Sequence, residues 1–381
     1  MKGVELSGIR VIFDLAAKMR DVVRLEAGEP DFKTPEYICE AAEKAMREGR
    51  THYTTSRGIP ELRAAIAEKA KRENRIDADA EEEIVVTAGA SCAVYLSIHT
   101  VMEEGDEVLI PDPTWPHYEA CVKLAGGKPI SYSLKEDRGF SFDIDEIRSR
   151  ITERTKMIVV ASPSNPTGGV IPLKDLEALA DTAVKHDLLV LSDEVYEKMV
   201  YDGNRHYSIA ALPEMKDRCL TINSFSKTYA MTGWRLGYVI APKDIASQMA
   251  KLNLFLNSCP SSISQEAGLA ALTGPQEDVK KMLDEYARRR QIIVEGLRKI
   301  KGFKISPPMG AFYAFPNITE LNYTSWDLCM LLLKEGRVAT VPGAAFGSNG
   351  EGYIRISYAN SVEKIKEALN RMEETVAKIR R

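Results

Sequence analysis

Six short apolar runs recur along the chain, and each ends in small or polar residues. The first three are Ile84-Val-Val-Thr-Ala-Gly-Ala-Ser91, Glu107-Val-Leu-Ile-Pro-Asp112 and Met157-Ile-Val-Val-Ala-Ser162. The others are Leu188-Leu-Val-Leu-Ser-Asp193, Leu220-Thr-Ile-Asn223 and Leu236-Gly-Tyr-Val-Ile240. Such a run has no polar, solvent-facing side. It therefore predicts a strand covered on both faces, in a mainly parallel sheet. Helical segments alternate with the runs; Leu173–His186 carries apolar residues at helical spacing between the third and fourth. That alternation is the α/β pattern, with helices flanking a central sheet.

The last hundred residues are patterned differently. Val279–Ile300 reads as a long, Arg-rich amphipathic helix, and Ser306–Pro316, Ala339–Pro342 and Tyr353–Ser357 as short strands around turns. Ser361–Arg381 predicts a closing helix with Val362, Ile365, Leu369, Met372, Val376 and Ile379 on one stripe. The expectation is a large α/β domain over residues 45–275. A smaller α+β domain would hold residues 276–381, with the segment 1–44 packed on or near it.

Composition narrows the function. The chain has 381 residues, and its 51 Lys and Arg against 55 Asp and Glu give a net charge of −4. That balance lacks the basic excess of a nucleic-acid binder. No apolar run approaches the roughly 20 residues of a membrane span. Lys2, Glu5 and Arg10 stand where a signal peptide would be apolar. The six cysteines are scattered, the closest pair being 29 residues apart, and no His/Cys cluster supports a zinc centre. Unpaired thiols of this kind fit a reducing cytoplasm.

In an open α/β sheet, ligands bind beyond the carboxyl ends of the strands. Asn165 follows the third run, in Ser162-Pro-Ser-Asn-Pro-Thr-Gly168; Asp193 ends the fourth; Lys227 follows the fifth, in Asn223-Ser-Phe-Ser-Lys-Thr-Tyr229. The spacings of 28 and 34 residues suit strand–helix–strand repeats, so an amide, a carboxylate and an amine should converge on one crevice. Pyridoxal 5'-phosphate needs such a set. A lysine amine condenses with its aldehyde, a carboxylate keeps the pyridine nitrogen protonated, and Asn165 and Tyr196 can donate to the ring oxygen. Ser224, Ser226 and Arg235 flank the lysine and suit a phosphate, as does Gly89-Ala-Ser-Cys92 at a helix start. Taken singly, each residue has a plainer reading: a solvated lysine, a capping aspartate, a turn at Asn-Pro-Thr-Gly. Their order and spacing favour the joint reading.

These motifs resemble the class I/II aminotransferases, pyridoxal-phosphate enzymes of fold type I related to aspartate aminotransferase. Ser-Asp-Glu-Val-Tyr and Ser-Phe-Ser-Lys-Thr-Tyr-Ala-Met-Thr-Gly-Trp-Arg-Leu-Gly carry the resemblance, with Ala27-Gly-Glu-Pro-Asp-Phe32, Gly58-Ile-Pro-Glu-Leu-Arg63 and Tyr353-Ile-Arg-Ile-Ser-Tyr-Ala359. The resemblance implies that Lys227 binds the cofactor aldehyde and later moves the substrate proton. It implies that Asp193 pairs with the pyridine nitrogen, that Tyr196 and Asn165 hold the ring oxygen, and that Trp115 stacks on the ring. Ser224, Ser226, Arg235 and the backbone of Ala90 and Ser91 would bind phosphate. Tyr53 would reach the phosphate of a neighbouring subunit, which implies a homodimer with shared sites. Arg355 would clamp the substrate α-carboxylate, with Gly28 and Asn165 beside it. The implied reaction is ping-pong transfer of an amino group from an L-amino acid to a 2-oxo acid.

The resemblance thins at the substrate side chain. One aspartate-specific subgroup uses a second arginine from the partner subunit, and Asn253–Ser262 contains no Arg or Lys. Aspartate, alanine, aromatic and longer acidic donors stay open. A β-lyase or decarboxylase would share the fold and cofactor. A cofactor-binding regulator is disfavoured, because no basic module of about 70 residues precedes the domain. A nicotinamide dehydrogenase lacks its glycine-rich fingerprint.

Overall fold

The computed structural model describes residues 8–379. Lys2 and Glu5, and the last two residues of the expected closing helix, lie outside that span.

All six runs form strands of one eight-stranded sheet. We label them β1 (Ile84–Thr87), β2 (Glu107–Asp112), β5 (Thr155–Ala161), β6 (Leu189–Asp193), β7 (Cys219–Ser224) and β8 (Gly237–Ile240); β3 (Lys128–Lys135) and β4 (Ser141–Phe142) complete the sheet. The strand order is β1-β8-β7-β6-β5-β2-β3-β4. Strands β3, β2, β5, β6 and β7 are mutually parallel, whereas β8 lies antiparallel between β1 and β7. The sheet is thus mainly parallel, as the apolar runs predict. Strand β3 was not legible because Lys128-Pro-Ile-Ser-Tyr-Ser-Leu-Lys135 is half exposed and beside the sheet edge, so its sequence carries no buried run.

Two apolar clusters cover the two faces of this sheet. Side chains alternate across a strand, so Val85 and Ile84 of β1 enter different clusters, as do Val159 and Ile158 of β5. Helices α1 (Gly8–Ala17), α2 (Ala90–Val101), α3 (Leu173–Lys185), α4 (Glu277–Lys299) and α5 (Val362–Ile379) are those that bear on the site and its support. Helices α3, α4 and α5 match the expected segments to within two residues wherever the chain is described. In α5, Ser361 Oγ accepts from Lys364 N at 3.2 Å and closes the first turn.

A third apolar cluster lies outside the sheet. It joins Ile12, Val23 and Leu25 to α4, α5 and the strands β9 (Tyr313–Ala314) and β11 (Ile354–Ser357) of a three-stranded sheet, whose third strand β10 (Val341–Pro342) turns Val341 to the large-sheet cluster. The expected strand over Ser306–Pro316 shrinks to β9. Pro307 and Pro308 have no N–H to give a ladder, and Gly310 makes only an isolated bridge with Val200. Among the described residues no helix is long and apolar enough to cross a membrane.

Candidate active site

The carboxyl ends of the parallel strands open into a cavity of about 280 Å³. Asp193 is the last residue of β6, Asn165 lies four residues past β5, and Lys227 sits in a one-turn helix directly after β7. All three line the cavity. From the other side it receives Arg355 of β11, Gly28 and Tyr313. Ala90, Ser91, Ser224, Ser226 and Arg235 line it as well, as do Trp115 and Tyr196. Tyr53 does not line it; its side chain stands 88 % exposed on the surface.

Burial and neighbouring charge set the character of each group. Asp193 Oδ2 accepts from the Tyr118 hydroxyl at 2.5 Å, and Oδ1 from Val195 N at 3.2 Å. Burial pushes its carboxyl up to about 6; those two bonds and the Lys227 charge oppose the shift, and Glu194 adds to it. Lys227 Nζ donates to the Gly28 carbonyl at 2.5 Å. Burial, with the Arg355 and Arg235 charges behind it, brings the amine down to about 8 against the pull of Glu29 and Asp193. A neutral amine is therefore within reach at mildly alkaline pH.

Arg355 is 2 % exposed and doubly anchored: Nη1 donates to Asn165 Oδ1 at 2.9 Å and Nη2 to the Glu26 carbonyl at 2.6 Å. Its guanidinium lies over the rings of Tyr313 and Phe346. Its Nε is buried with no hydrogen-bond partner. Such a group is normally satisfied, so this corner is built for an acceptor. Burial lowers the Arg355 pKa, but guanidinium stays charged in proteins.

An anion cradle occupies the opposite end of the donor set. Helix α2 starts at Ala90 behind Gly89, whose φ of +83° and ψ of 170° suit glycine almost alone. A Cβ there would stand 2.5 Å from Arg235 Nη2, so glycine also admits the guanidinium. Ser224 Oγ and Ser226 Oγ lie 3.0 Å apart beside it. Two hydroxyls, a guanidinium and a helix N-terminus form a donor set for a phosphate dianion. Trp115 is fixed by stacking on His117 at 4.5 Å and by an edge contact with Tyr118.

Two hydroxyl-bearing lining residues, Tyr118 and Tyr313, are not marked by the sequence motifs. Tyr118 lies three residues past Trp115, in the first turn of the helix His117–Leu124, and that nearness to Trp115 was the available signal. Tyr313 lies in Ala311-Phe-Tyr-Ala-Phe315, which reads simply as an apolar strand. Behind the sheet, Glu194, Glu197 and His206 bring potential ligand atoms within 4.8 Å of one another. The Lys69 ammonium already bonds Glu197 there, so the cluster holds its own cation.

Similarity to known proteins gives the family. The family model of the class I and II aminotransferases matches residues 20–372. The chain is 48 % identical to an aspartate aminotransferase of Pyrococcus abyssi over 98 % of this chain and 96 % of that one. It is 44 % identical to an aromatic-amino-acid aminotransferase of Thermococcus litoralis, with the same coverage. A solved aspartate aminotransferase from Thermus thermophilus, bound to maleate, superposes with a TM-score of 0.93 at 39 % identity, covering 98 % of this chain and all of that one. The chain belongs to the class I and II aminotransferases and is a transaminase of fold type I.

Proposed function

We propose that this enzyme binds pyridoxal 5'-phosphate in the cavity and transfers the amino group of an L-amino acid to a 2-oxo acid. The donor set carries the proposal: an amine, a buried carboxylate, two phenol or amide donors and a phosphate cradle converge on one cavity. When bound, the cofactor supplies an aldehyde for the amine and a ring that accepts an electron pair. Ser224, Ser226, Arg235 and the Ala90 and Ser91 backbone hold its phosphate. Asp193 holds a proton on the ring nitrogen, and Trp115 packs on the ring. Asn165 spends Oδ1 on Arg355, which leaves its Nδ2 to join Tyr196 at the ring oxygen. Arg355 binds the substrate α-carboxylate as a fork, close to Gly28, and Lys227 Nζ takes the proton from the substrate Cα.

For the substrate side chain we propose aspartate-like or broad specificity. The relatives named above include both aspartate and aromatic enzymes, and Ile9 with Trp115 gives the cavity an apolar flank. We also propose a homodimer with shared sites, with Tyr53 reaching the neighbour's phosphate. Tyr53 is exposed, as are Leu254, Phe255 and Leu256, and such apolar exposure suits an interface. Six free cysteines fit a cytoplasmic setting. The proposed division into two domains rests on the apolar clusters. Within the proposed large domain, 45–275, Leu62, Ile158 and Ala271 pack with the large sheet; in the proposed smaller unit of 1–44 and 276–381, Ile12, Met282 and Leu369 pack with the outer cluster, while Ile38, Ala42 and Val341 reach the large sheet.

Borohydride treatment of the loaded protein should fix the cofactor on Lys227, read by peptide mass mapping. A label on another lysine overturns the assignment. Arg355→Leu should raise KM about 10–100-fold for every amino donor, since it removes charged hydrogen bonds worth about 1.5–3 kcal/mol. A defect confined to one donor would move Arg355 to the side-chain pocket.

A further inference from the structure

Tyr313 is used by none of the roles above, yet its hydroxyl sits where they meet. In β9 it pairs with Ser357 of β11, two residues beyond Arg355. Its Oη lies 2.7 Å from Tyr196 Oη, and both side chains are buried. The Arg355 guanidinium stands 4.5 Å from the centre of its ring. A Cβ on Gly28 would come within 2.7 Å of the same hydroxyl, so the backbone that accepts the Lys227 hydrogen bond also packs on it.

We propose that Tyr313 is a positioning residue for transamination: its hydroxyl donates to Tyr196 and aims the Tyr196 O–H at the cofactor ring oxygen, while its ring carries Arg355. This rests on the cofactor reading above. Two phenols 2.7 Å apart place one proton between them, and the more acidic phenol donates. The Arg355 charge acts on both phenols, but its guanidinium lies over the Tyr313 face, and the Asp193 carboxylate opposes ionisation of Tyr196 alone. The cation favours Tyr313 as donor. Tyr196 then accepts with a lone pair and keeps its own hydrogen for the ring oxygen. Chained hydrogen bonds strengthen one another, so the pair stabilises an anionic ring oxygen better than Tyr196 alone. Glu26 sits behind Arg355, its carbonyl taking Nη2. With Asn165 Oδ1 taking Nη1, these two bonds fix the cation over the Tyr313 ring.

Two variants separate the hydroxyl from the ring. Tyr313→Phe keeps the volume and the face under Arg355. The pH midpoint of the bound cofactor's visible absorption should rise by about half a unit, because a less stabilised ring oxygen holds the neighbouring proton more tightly. Its KM for amino donors should stay within about twofold. Tyr313→Leu removes the ring too, and KM should rise about tenfold, as for a desolvated cation–π contact. If wild-type protein takes up no visible chromophore, the cofactor reading falls and takes this inference with it. If wild type carries the chromophore and Tyr313→Phe leaves the midpoint unmoved, the inference alone is overturned. An unchanged KM in Tyr313→Leu overturns the ring's part in it.

Discussion

Lys227→Ala is expected to lower the rate of amino-group transfer by about 10²–10⁴-fold, the usual loss when a positioned proton-transfer group is removed. The argument starts from burial. An ordinary lysine is almost wholly protonated at neutral pH and cannot accept a proton. At Lys227 burial and two arginines bring the amine down to about 8, so the neutral form is populated where enzymes work. Its tether is also suited to the task. The bond from Nζ to the Gly28 carbonyl keeps the amine at the cavity wall, on the segment proposed to lie beside the substrate carboxylate. Lys227→Arg keeps the charge and much of the length, but guanidinium does not deprotonate. It should therefore fail about as badly as alanine. Single-turnover conversion of loaded enzyme by an amino donor measures both. A Lys227→Arg variant within about tenfold of wild type would mean that charge, not proton transfer, is what Lys227 contributes.

Why some residues were legible and others were not follows from how the fold places them. Asn165, Asp193 and Lys227 sit just past strands that are apolar on both faces, so local pattern alone puts them at one edge of the sheet. Arg355 is different. It stands in Ile354-Arg-Ile-Ser357, a buried strand of the outer sheet, and only motif resemblance pointed at it. Its partners, the Asn165 side chain and the Glu26 carbonyl, are 190 and 329 residues away in sequence. Tyr118 and Tyr313 show the limit more sharply. Both are large and buried, and in the fold they pack in apolar clusters like ordinary core residues. Their function lies only in where one oxygen points, at Asp193 and at Tyr196. No periodicity encodes that. The antiparallel β8 was equally hidden, because a buried strand reads the same in either direction.

Asp193→Ala should lower turnover by about 10²–10³-fold, the scale for losing one preorganised electrostatic group, because nothing else in the cavity places a carboxylate at the ring nitrogen. Activity near wild type would end that role. The same residue makes a second prediction that needs no cofactor. Its carboxyl titrates at about 6 in the fold against 3.8 ordinarily. The native state therefore holds this proton more tightly than the unfolded chain does. Its contribution to stability is complete below about pH 4 and is lost as pH rises towards about 6. Above that, the buried charge costs roughly 3 kcal/mol. Asp193→Asn keeps the shape and still accepts from Tyr118, but carries no charge. Cofactor-free Asp193→Asn protein should thus have a higher Tm than wild type at pH 8, and the difference should vanish near pH 4. Equal Tm values at pH 8 would contradict the buried charge. A protonated ring nitrogen beside Asp193 supplies the missing counter-charge, so loading the cofactor should narrow the gap at pH 8. Asp193 is then a carboxylate that destabilises the empty fold and is stabilised by the group it serves, which ties the stability of this cavity to its occupancy.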